Sequence, residues 1–304
     1  MQRKPRKTPS LPEQEDGDQW WGIAVANHTY FSAGAVSGPG WILLREALRI
    51  SLLVSGLIVL AAFFAGCATA GNGQMTETTT LPVPSGTMTQ ISANGTDYPA
   101  YLVSPPGGSR HPAIVLMHSF NGLEPGYREM ADRMAGDGFV VIAPAWQTYN
   151  QRAGDPEVEA VIRSSVATLQ KRPDVENTRL GLTGFCAGGR FTMLFLPQVK
   201  EFRAGVAWYG FPESIGYTNN TAPSAHIGEL TVPMLMIHGS RDQPSPVAGI
   251  YNYSARLDGA DKYFELKVYQ GKPHGFMIVN GSLNREPYAE DAYQEMIAFF
   301  KRTL

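Results

Sequence analysis

The chain has 304 residues, of which 43% are hydrophobic and 17% are charged, so it contains one or two folded domains and is not an intrinsically disordered protein. Its formal net charge of −2 and the absence of a basic patch in the globular part argue against a nucleic-acid partner. The two cysteines, Cys67 and Cys186, are too few for a disulfide framework.

The first part of the chain has the pattern of a membrane-targeting region. Residues 1–49 form a polar lead, and residues 50–67 form an uncharged apolar run that follows Arg45 and Arg49. This run is at the short end of the roughly 17–25 residues that span a bilayer. It is typical of a secretory signal or membrane anchor, with a buried core helix as the alternative. Residues 68–85 are rich in Thr, Gly and Pro and predict a flexible tether.

The end of the apolar run resembles a lipoprotein signal-peptidase site, in which Cys67 becomes the lipidated N-terminus. Phe64 stands where Leu is usual, and the polar lead is longer than that of an ordinary signal. Two alternatives therefore stay open: a lipidated anchor at Cys67, or an uncleaved anchor helix. Both predict attachment to the cell membrane with residues 86–304 on the extracytoplasmic side, because the positive charges stay inside.

Residues 86–304 alternate between strand-like apolar runs and helix-like segments. This alternation predicts one α/β domain around a mostly parallel central sheet with helices on both faces. The predicted strands are 99–105, 113–118, 139–146, 178–185, 204–210, 233–239 and 263–270, and the predicted helices are 125–138, 156–172, 187–196, 246–257 and 286–304.

A cysteine lies at the junction between one predicted strand and the next helix. The segment from Gly184 through Cys186 to Gly188 has the nucleophile-elbow pattern, with cysteine in place of serine. Glycines suit this sharp turn because larger side chains would collide there. The helix N-terminus favours a thiolate, and the backbone N–H of Ala187 is a candidate oxyanion donor. The alternative is a tight turn with a buried, inert cysteine.

A cysteine nucleophile needs a base and a residue that orients the base. In this type of fold both follow the nucleophile, first the acid and then the histidine, each after its own strand. Asp242 follows one predicted strand and His274 follows the next, whereas His118 precedes Cys186 and is in the wrong order for the base. Asp242 alone could be a loop or capping residue, and His274 alone an exposed loop residue. The order of all three predicts a Cys-His-Asp triad.

Four segments together resemble the dienelactone hydrolase family, a cysteine-nucleophile branch of the α/β-hydrolase fold: GFCAGGR, AWYGF, HGSRDQPSP and YQGKPHGF. The similarity covers about residues 95–303. It implies that Cys186 is the nucleophile, His274 the base and Asp242 the orienting acid. It also implies a second oxyanion N–H from the loop after the strand at 113–118, and we choose Phe120. No metal or organic cofactor is implied, and the chain has no HExxH motif, clustered cysteines or phosphate loop.

Two family features are absent from this chain. Family members that open dienelactone carry a glutamate where this chain has Ser119, and Glu124 is too far along to replace it. The substrate-binding arginine expected shortly after His274 is also missing. Arg152 is a candidate cation for a substrate acid group, with a surface role as the alternative. The resemblance therefore does not extend to dienelactone as the substrate.

The sequence predicts an exported, membrane-tethered hydrolase of small carboxylic esters or lactones that works through an acyl-enzyme on Cys186. One alternative is an inactive, surface-tethered binding protein on a hydrolase scaffold. Another is an esterase that acts on acetylated sugars or on peptide-like amides. The patterns give no indication of the oligomeric state. The candidate substrate-binding residues are Ser119, Trp146, Arg152, Tyr209 and Phe276, with Trp208 as a further pocket candidate and core packing as the alternative for the aromatic ones.

Overall fold

The computed structural model describes residues 85–217 and 221–304. The predicted polar lead (1–49), the apolar segment (50–67) with Cys67, and all of the tether except its last residue lie outside these ranges. Within the two described ranges, no helix combines the length and the apolar character that are needed to cross a membrane.

A central sheet of eight strands organises the described residues. In chain order the strands are β1 (Thr87–Ala93), β2 (Thr96–Val103), β3 (His111–Met117), β4 (Val140–Pro144), β5 (Val175–Phe185), β6 (Phe202–Trp208), β7 (Met234–Gly239) and β8 (Phe264–Tyr269). Their order across the sheet is β1-β2-β4-β3-β5-β6-β7-β8. The β1–β2 and β2–β4 pairs are antiparallel, and every pair from β4 to β8 is parallel.

Helices cover both faces of this sheet. They are α1 (Pro125–Gly136), α2 (Asp155–Gln170), α3 (Ala187–Phe195), α4 (Val247–Gly259) and α5 (Pro287–Thr303), with a short 3-10 helix at Pro223–Glu229. Buried apolar residues of α1 and α5 share one core cluster, and those of α2, α3 and α4 share another. The inner strands β3, β4 and β7 are buried on both faces, as the continuous apolar run of β3 requires, whereas β1 at one end of the sheet is largely exposed. The predicted α/β architecture is confirmed.

Two β-hairpins were not predicted from the sequence. The first joins β1 to β2 through Asn94-Gly95, and the second joins β9 (Ile278–Val279) to β10 (Ser282–Leu283) through Asn280-Gly281. All four turn residues have positive φ, between 50° and 79°. Asn-Gly favours this geometry and is a strong short-range hairpin signal. The two Asn-Gly pairs are thus the signal that would have located both hairpins.

The parallel strands bring the predicted site to one edge of the sheet. β3, β5, β7 and β8 run parallel, so their carboxyl ends lie on the same side. The loops after these strands carry Ser119, Cys186, Asp242 and His274. In open parallel sheets this edge is where ligands bind.

Candidate active site

Cys186 occupies a strained turn between β5 and α3. Its backbone has φ 58° and ψ −112°, a conformation that residues other than glycine rarely adopt. A Cβ atom on Gly184 would lie 2.2 Å from the carbonyl oxygen of Gly188, and one on Gly188 would lie 2.1 Å from that of Met117. The N–H of Cys186 donates to the carbonyl of Trp208 at 3.1 Å, which ties the turn to β6. The glycines are therefore required by close backbone contacts.

His274 is held by a buried carboxylate. Its Nδ1 donates to Oδ2 of Asp242 at 2.8 Å, while Oδ1 of Asp242 accepts the backbone N–H of Ser245 at 2.8 Å. The other ring nitrogen, Nε2, is buried and has no hydrogen-bond partner among the described residues. One nitrogen is thus used for orientation and the other is available for chemistry.

The charge state of His274 is linked to Cys186. Burial alone lowers the pKa of His274, but the hydrogen bond with Asp242 and the interaction with the Cys186 side chain outweigh it and raise this pKa to about 9. Since Nδ1 already contacts Asp242, Nε2 is the nitrogen that remains for the sulfur. The structure therefore brings Cys186, His274 and Asp242 together in one hydrogen-bonded and electrostatically linked group.

Aromatic rings surround His274. The ring of Tyr209 lies 5.0 Å from the imidazole between centroids, and that of Phe211 lies 5.4 Å away. Tyr209 has a positive φ of 36°, and burial raises its pKa well above the usual value, which keeps its hydroxyl neutral. These rings limit the access of water to the base.

Two backbone N–H groups are available near the sulfur. Ala187 is the first residue of α3, so its N–H has no acceptor within the helix. No carbonyl in the described part of the chain accepts the N–H of Phe120, which lies in the loop after β3. Both residues border the same cavity as Cys186. They are placed where oxyanion donors would be needed.

The loop after β3 shows what stands in place of the family glutamate. The Ser119 hydroxyl accepts the N–H of Asn121 at 3.2 Å, and Ser119 also forms hydrogen bonds with Tyr127. Burial raises the pKa of Tyr127, and proximity to Glu124 and Cys186 raises it further. Burial alone raises the pKa of Glu124, which caps α1 and has no resolved interaction with Cys186. At the position of the family glutamate the chain therefore has a neutral hydroxyl, which interacts with Asn121 and Tyr127.

A cavity of about 350 Å³ opens beside Cys186. Trp146 lines it, as the sequence analysis predicted. Arg152 lies outside, with its guanidinium 5.7 Å from the ring centroid of Tyr217, which does line the cavity. The five aromatic side chains in the wall are Phe120, Trp146, Phe191, Phe211 and Tyr217.

Four of the remaining candidates do not line this cavity. Tyr209 packs against His274, and Phe276 packs against Tyr209 and Trp208 in the core beneath the site. Trp208 is fully buried between Phe185 and Phe276. Ser119 contacts Tyr127. These residues support the site from behind its surface.

The cavity wall contains a buried ion pair that was not predicted from the sequence. Arg190 Nη1 and Nη2 donate to Asp155 Oδ1 and Oδ2 at 2.6 Å and 2.8 Å, and Arg190 Nε donates to the carbonyl of Ser214 at 2.9 Å. Both side chains are almost completely buried. The sequence does contain a signal for this pair, because Arg190 is the one charged residue in the otherwise uncharged and mostly buried helix α3.

His238 is a second residue that sequence reasoning did not assign. It lies in β7, and its Nε2 donates to the carbonyl of Ser245 at 2.7 Å. The same nitrogen lies 3.4 Å from Oδ2 of Asp242. Burial lowers the pKa of His238, so the ring stays neutral. His238 thus holds the segment whose Ser245 N–H fixes Asp242.

Comparison with known proteins identifies the family of this chain. A model of the dienelactone hydrolase family matches residues 98–160 and 145–304. A candidate carboxymethylenebutenolidase of Salmonella typhimurium is 28% identical over 239 residues, which cover 71% of this chain and 87% of the relative. A candidate 2-oxo-3-(5-oxofuran-2-ylidene)propanoate lactonase of a Bradyrhizobium species is 27% identical over 228 residues, which cover 69% and 92%.

A solved structure shows the same architecture. The crystal structure of a candidate dienelactone hydrolase from Klebsiella pneumoniae matches with a TM-score of 0.65 and 25% sequence identity. The match covers 72% of this chain and 99% of that chain. The two chains therefore share their fold over nearly the whole length of the Klebsiella protein.

Proposed function

This chain belongs to the dienelactone hydrolase family and is a hydrolase of ester or lactone bonds, and we propose that it acts through a Cys186–His274–Asp242 triad and an acyl-enzyme. One observation carries the proposal. Nδ1 of His274 donates to Asp242 at 2.8 Å, and the buried Nε2 remains for the strained Cys186, whose side chain interacts with the imidazole. This is the arrangement that a nucleophile, its base and an orienting acid require.

In the first half of the reaction, the Cys186 thiolate attacks the carbonyl carbon of the substrate. The carbonyl oxygen becomes an oxyanion that accepts the N–H groups of Phe120 and Ala187. When this intermediate collapses, the carbon–oxygen bond to the leaving group breaks and the imidazolium of His274 protonates the departing oxygen. The product is a thioester on Cys186. With a lactone, the leaving hydroxyl stays attached to the acyl chain.

In the second half, His274 takes a proton from water, and the resulting hydroxide attacks the thioester carbon. Collapse of the second oxyanion releases the carboxylic acid and restores the thiolate and the imidazolium. Each oxyanion donor contributes about 10²–10³ in rate in well-studied hydrolases. Asp242 keeps Nδ1 protonated, so that Nε2 always faces the reacting atoms.

Activation of the sulfur in this chain depends on His274. At the position of the family glutamate stands Ser119, a neutral hydroxyl that cannot take a proton from the thiol at neutral pH. The imidazole of His274, whose pKa is raised to about 9, can hold that proton. His274 is therefore the proposed acceptor of the thiol proton when Cys186 attacks.

The cellular location belongs to the same proposal. The apolar run at 50–67 with Cys67 at its end supports an exported, membrane-tethered hydrolase. Membrane fractionation together with mass spectrometry of the mature N-terminus tests this. A lipidated Cys67 or an intact anchor is the expected result, and a chain recovered only from the cytosol contradicts it.

The catalytic proposal is tested with the purified full chain, 4-nitrophenyl acetate and a panel of lactones. Cys186→Ala should abolish turnover, and His274→Gln should slow alkylation of Cys186 by iodoacetamide at pH 7. The control is Asp174→Asn, which disrupts an Arg172–Asp174 pair outside the cavity wall. Turnover that survives Cys186→Ala overturns the triad. A thiol that reacts no faster than a free cysteine, in a protein without turnover, indicates a binding protein instead.

A further inference from the structure

The cavity beside Cys186 has an apolar wall with no net charge. Five aromatic side chains contribute to it, as described above. Among the described residues that line it, Asp155 and Arg190 are the only ones with charged side chains, apart from the titratable Cys186. These two form a bidentate pair with each other at 2.6 Å and 2.8 Å. Their charges therefore cancel within the wall.

The guanidinium of Arg190 is occupied and covered. Besides its two bonds to Asp155, it donates from Nε to the carbonyl of Ser214. A Cβ atom on Gly216 would lie 2.8 Å from Nη2 of Arg190, so the backbone of this loop rests directly on the guanidinium. Arg190 itself is only 5% exposed. A carboxylate that entered the cavity would find this cation already neutralised.

We propose that this cavity binds the acyl part of a small, uncharged, apolar ester or lactone, and that Asp155 sets this specificity by neutralising Arg190. The inference rests on the proposed function, because the cavity is taken as the acyl site of Cys186. A carboxylate on the acyl group would lose its hydration without gaining an unpaired cation. The volume of about 350 Å³ is near the lower end of the range for small-molecule sites, which fits a short or single-ring acyl group.

Arg152 is the rival cation at this site. Its side chain is exposed, and its guanidinium stacks over Tyr217 at the cavity wall. If an anionic acyl group reached outward to Arg152, this residue would favour the binding of anionic over uncharged substrates, which is the opposite of the proposal. The test therefore includes Arg152→Gln.

Two ester substrates of similar size separate these possibilities: 4-nitrophenyl butyrate, with an uncharged acyl group, and mono-4-nitrophenyl succinate, with an anionic one. The wild-type chain should show a kcat/KM about 10- to 100-fold higher for the butyrate, the effect of leaving a charged group unpaired. Asp155→Asn leaves Arg190 with an uncompensated charge and should reduce this preference about tenfold or more. A preference for the succinate in the wild type overturns the proposal.

The matched control is Asp174→Asn, which breaks an equivalent bidentate pair with Arg172 away from the cavity. It should leave the preference unchanged, as should Arg152→Gln. Loss of the preference in Asp174→Asn to the same extent as in Asp155→Asn overturns the role of Asp155. Circular dichroism of each variant establishes whether it is folded. If Asp155→Asn does not fold, the ratio of kcat/KM for the butyrate and the succinate in the wild-type chain still tests the selectivity.

A second measurement does not depend on turnover. Phenylacetone and phenylacetate have nearly the same shape but differ in charge, and each is tested for protection of Cys186 from iodoacetamide in the wild-type chain. Phenylacetone should protect at a concentration at least about tenfold lower than phenylacetate. Equal protection, or better protection by phenylacetate, overturns the proposal. If no ester is hydrolysed but the ketone still protects, the proposed function fails while the inferred selectivity of the cavity holds.

Discussion

Two buried aspartates belong to the surroundings of Cys186, and each has a cationic partner. Asp242 contacts His274 through one oxygen, and Asp155 contacts Arg190 through both. The partner of Asp242 can gain and lose a proton, and it keeps one ring nitrogen without a hydrogen bond. The guanidinium of Arg190 stays charged at all relevant pH values.

This difference separates a pair that can do chemistry from one that shapes the site. His274 can change charge during a reaction because Asp242 stabilises its protonated form without occupying Nε2. Arg190 cannot, so Asp155 fixes both charge and position in the wall. Burial and close pairing alone therefore do not identify a catalytic carboxylate. Under the proposed function, the two pairs differ because only the partner of Asp242 can titrate.

The largest expected contrast is in the rate. Asp242→Asn should lower kcat by about 10³–10⁴, because the amide no longer fixes the tautomer in which Nε2 of His274 acts as the base; the corresponding change in a serine protease costs about 10⁴. The measurement is kcat with 4-nitrophenyl butyrate, with Asp174→Asn as the control. A loss below tenfold would mean that Asp242 does not orient His274.

For the free energy of unfolding, Asp155→Asn should have a larger effect than Asp242→Asn. Asp155→Asn leaves the Arg190 guanidinium buried without a counter-charge, which should lower the free energy of unfolding by about 3–5 kcal/mol. Asp242→Asn should cost less, because His274 can become neutral. Urea unfolding of both variants at pH 7 measures this difference. An equal loss in the two variants would remove the distinction between the pairs.

The pH dependence of stability should come from only one of the pairs. The pKa of His274 is raised from about 6.5 in the unfolded chain to about 9, so its stabilisation is complete below pH 6.5 and is lost as the pH rises through 9. We expect the free energy of unfolding to fall by about 3 kcal/mol over this window. His274→Gln should remove most of this slope, whereas the Asp155–Arg190 pair contributes none. A slope that persists in His274→Gln contradicts this assignment.

The smallest expected effect concerns His238, which holds the Ser245 segment that fixes Asp242. His238→Phe leaves the carbonyl of Ser245 without its buried donor and should cost about 1–2 kcal/mol of stability. His238→Gln retains a donor and should recover much of this loss. If His238 also positions Asp242, the phenylalanine variant will lower the apparent pKa in the pH profile of kcat/KM. An unchanged profile would limit His238 to a structural role.

The elements that were predicted correctly have strong local patterns. β3 is recognised by its continuous apolar run, and α2 and α5 by apolar residues at helical spacing. In each case the signal lies within one short segment of the sequence. The triad candidates were found because each follows a strand in the expected order. β1 and the β9–β10 hairpin were missed because they are exposed or very short, although their Asn-Gly turns were visible.

The wall of the cavity could not be predicted in the same way. Asp155 and Arg190 are 35 residues apart, and nothing local in either segment indicates that they pair. The same holds for His238 and the Ser245 carbonyl, which meet only because the loop after β7 folds back on its strand. Predictions at residues 1–84 lie outside the described structure and stay predictions.

The contact between Gly188 and β3 has a consequence for how this enzyme could acquire new substrates. Because the Met117 carbonyl leaves no space for a Cβ atom at Gly188, a substitution of this residue would dismantle the elbow before it could alter selectivity. Heritable variation in substrate range is therefore expected at other wall positions, among them the loops that carry Trp146 and Phe211 to the cavity. In a laboratory library, these loops are the positions to randomise, while Gly188 is kept constant.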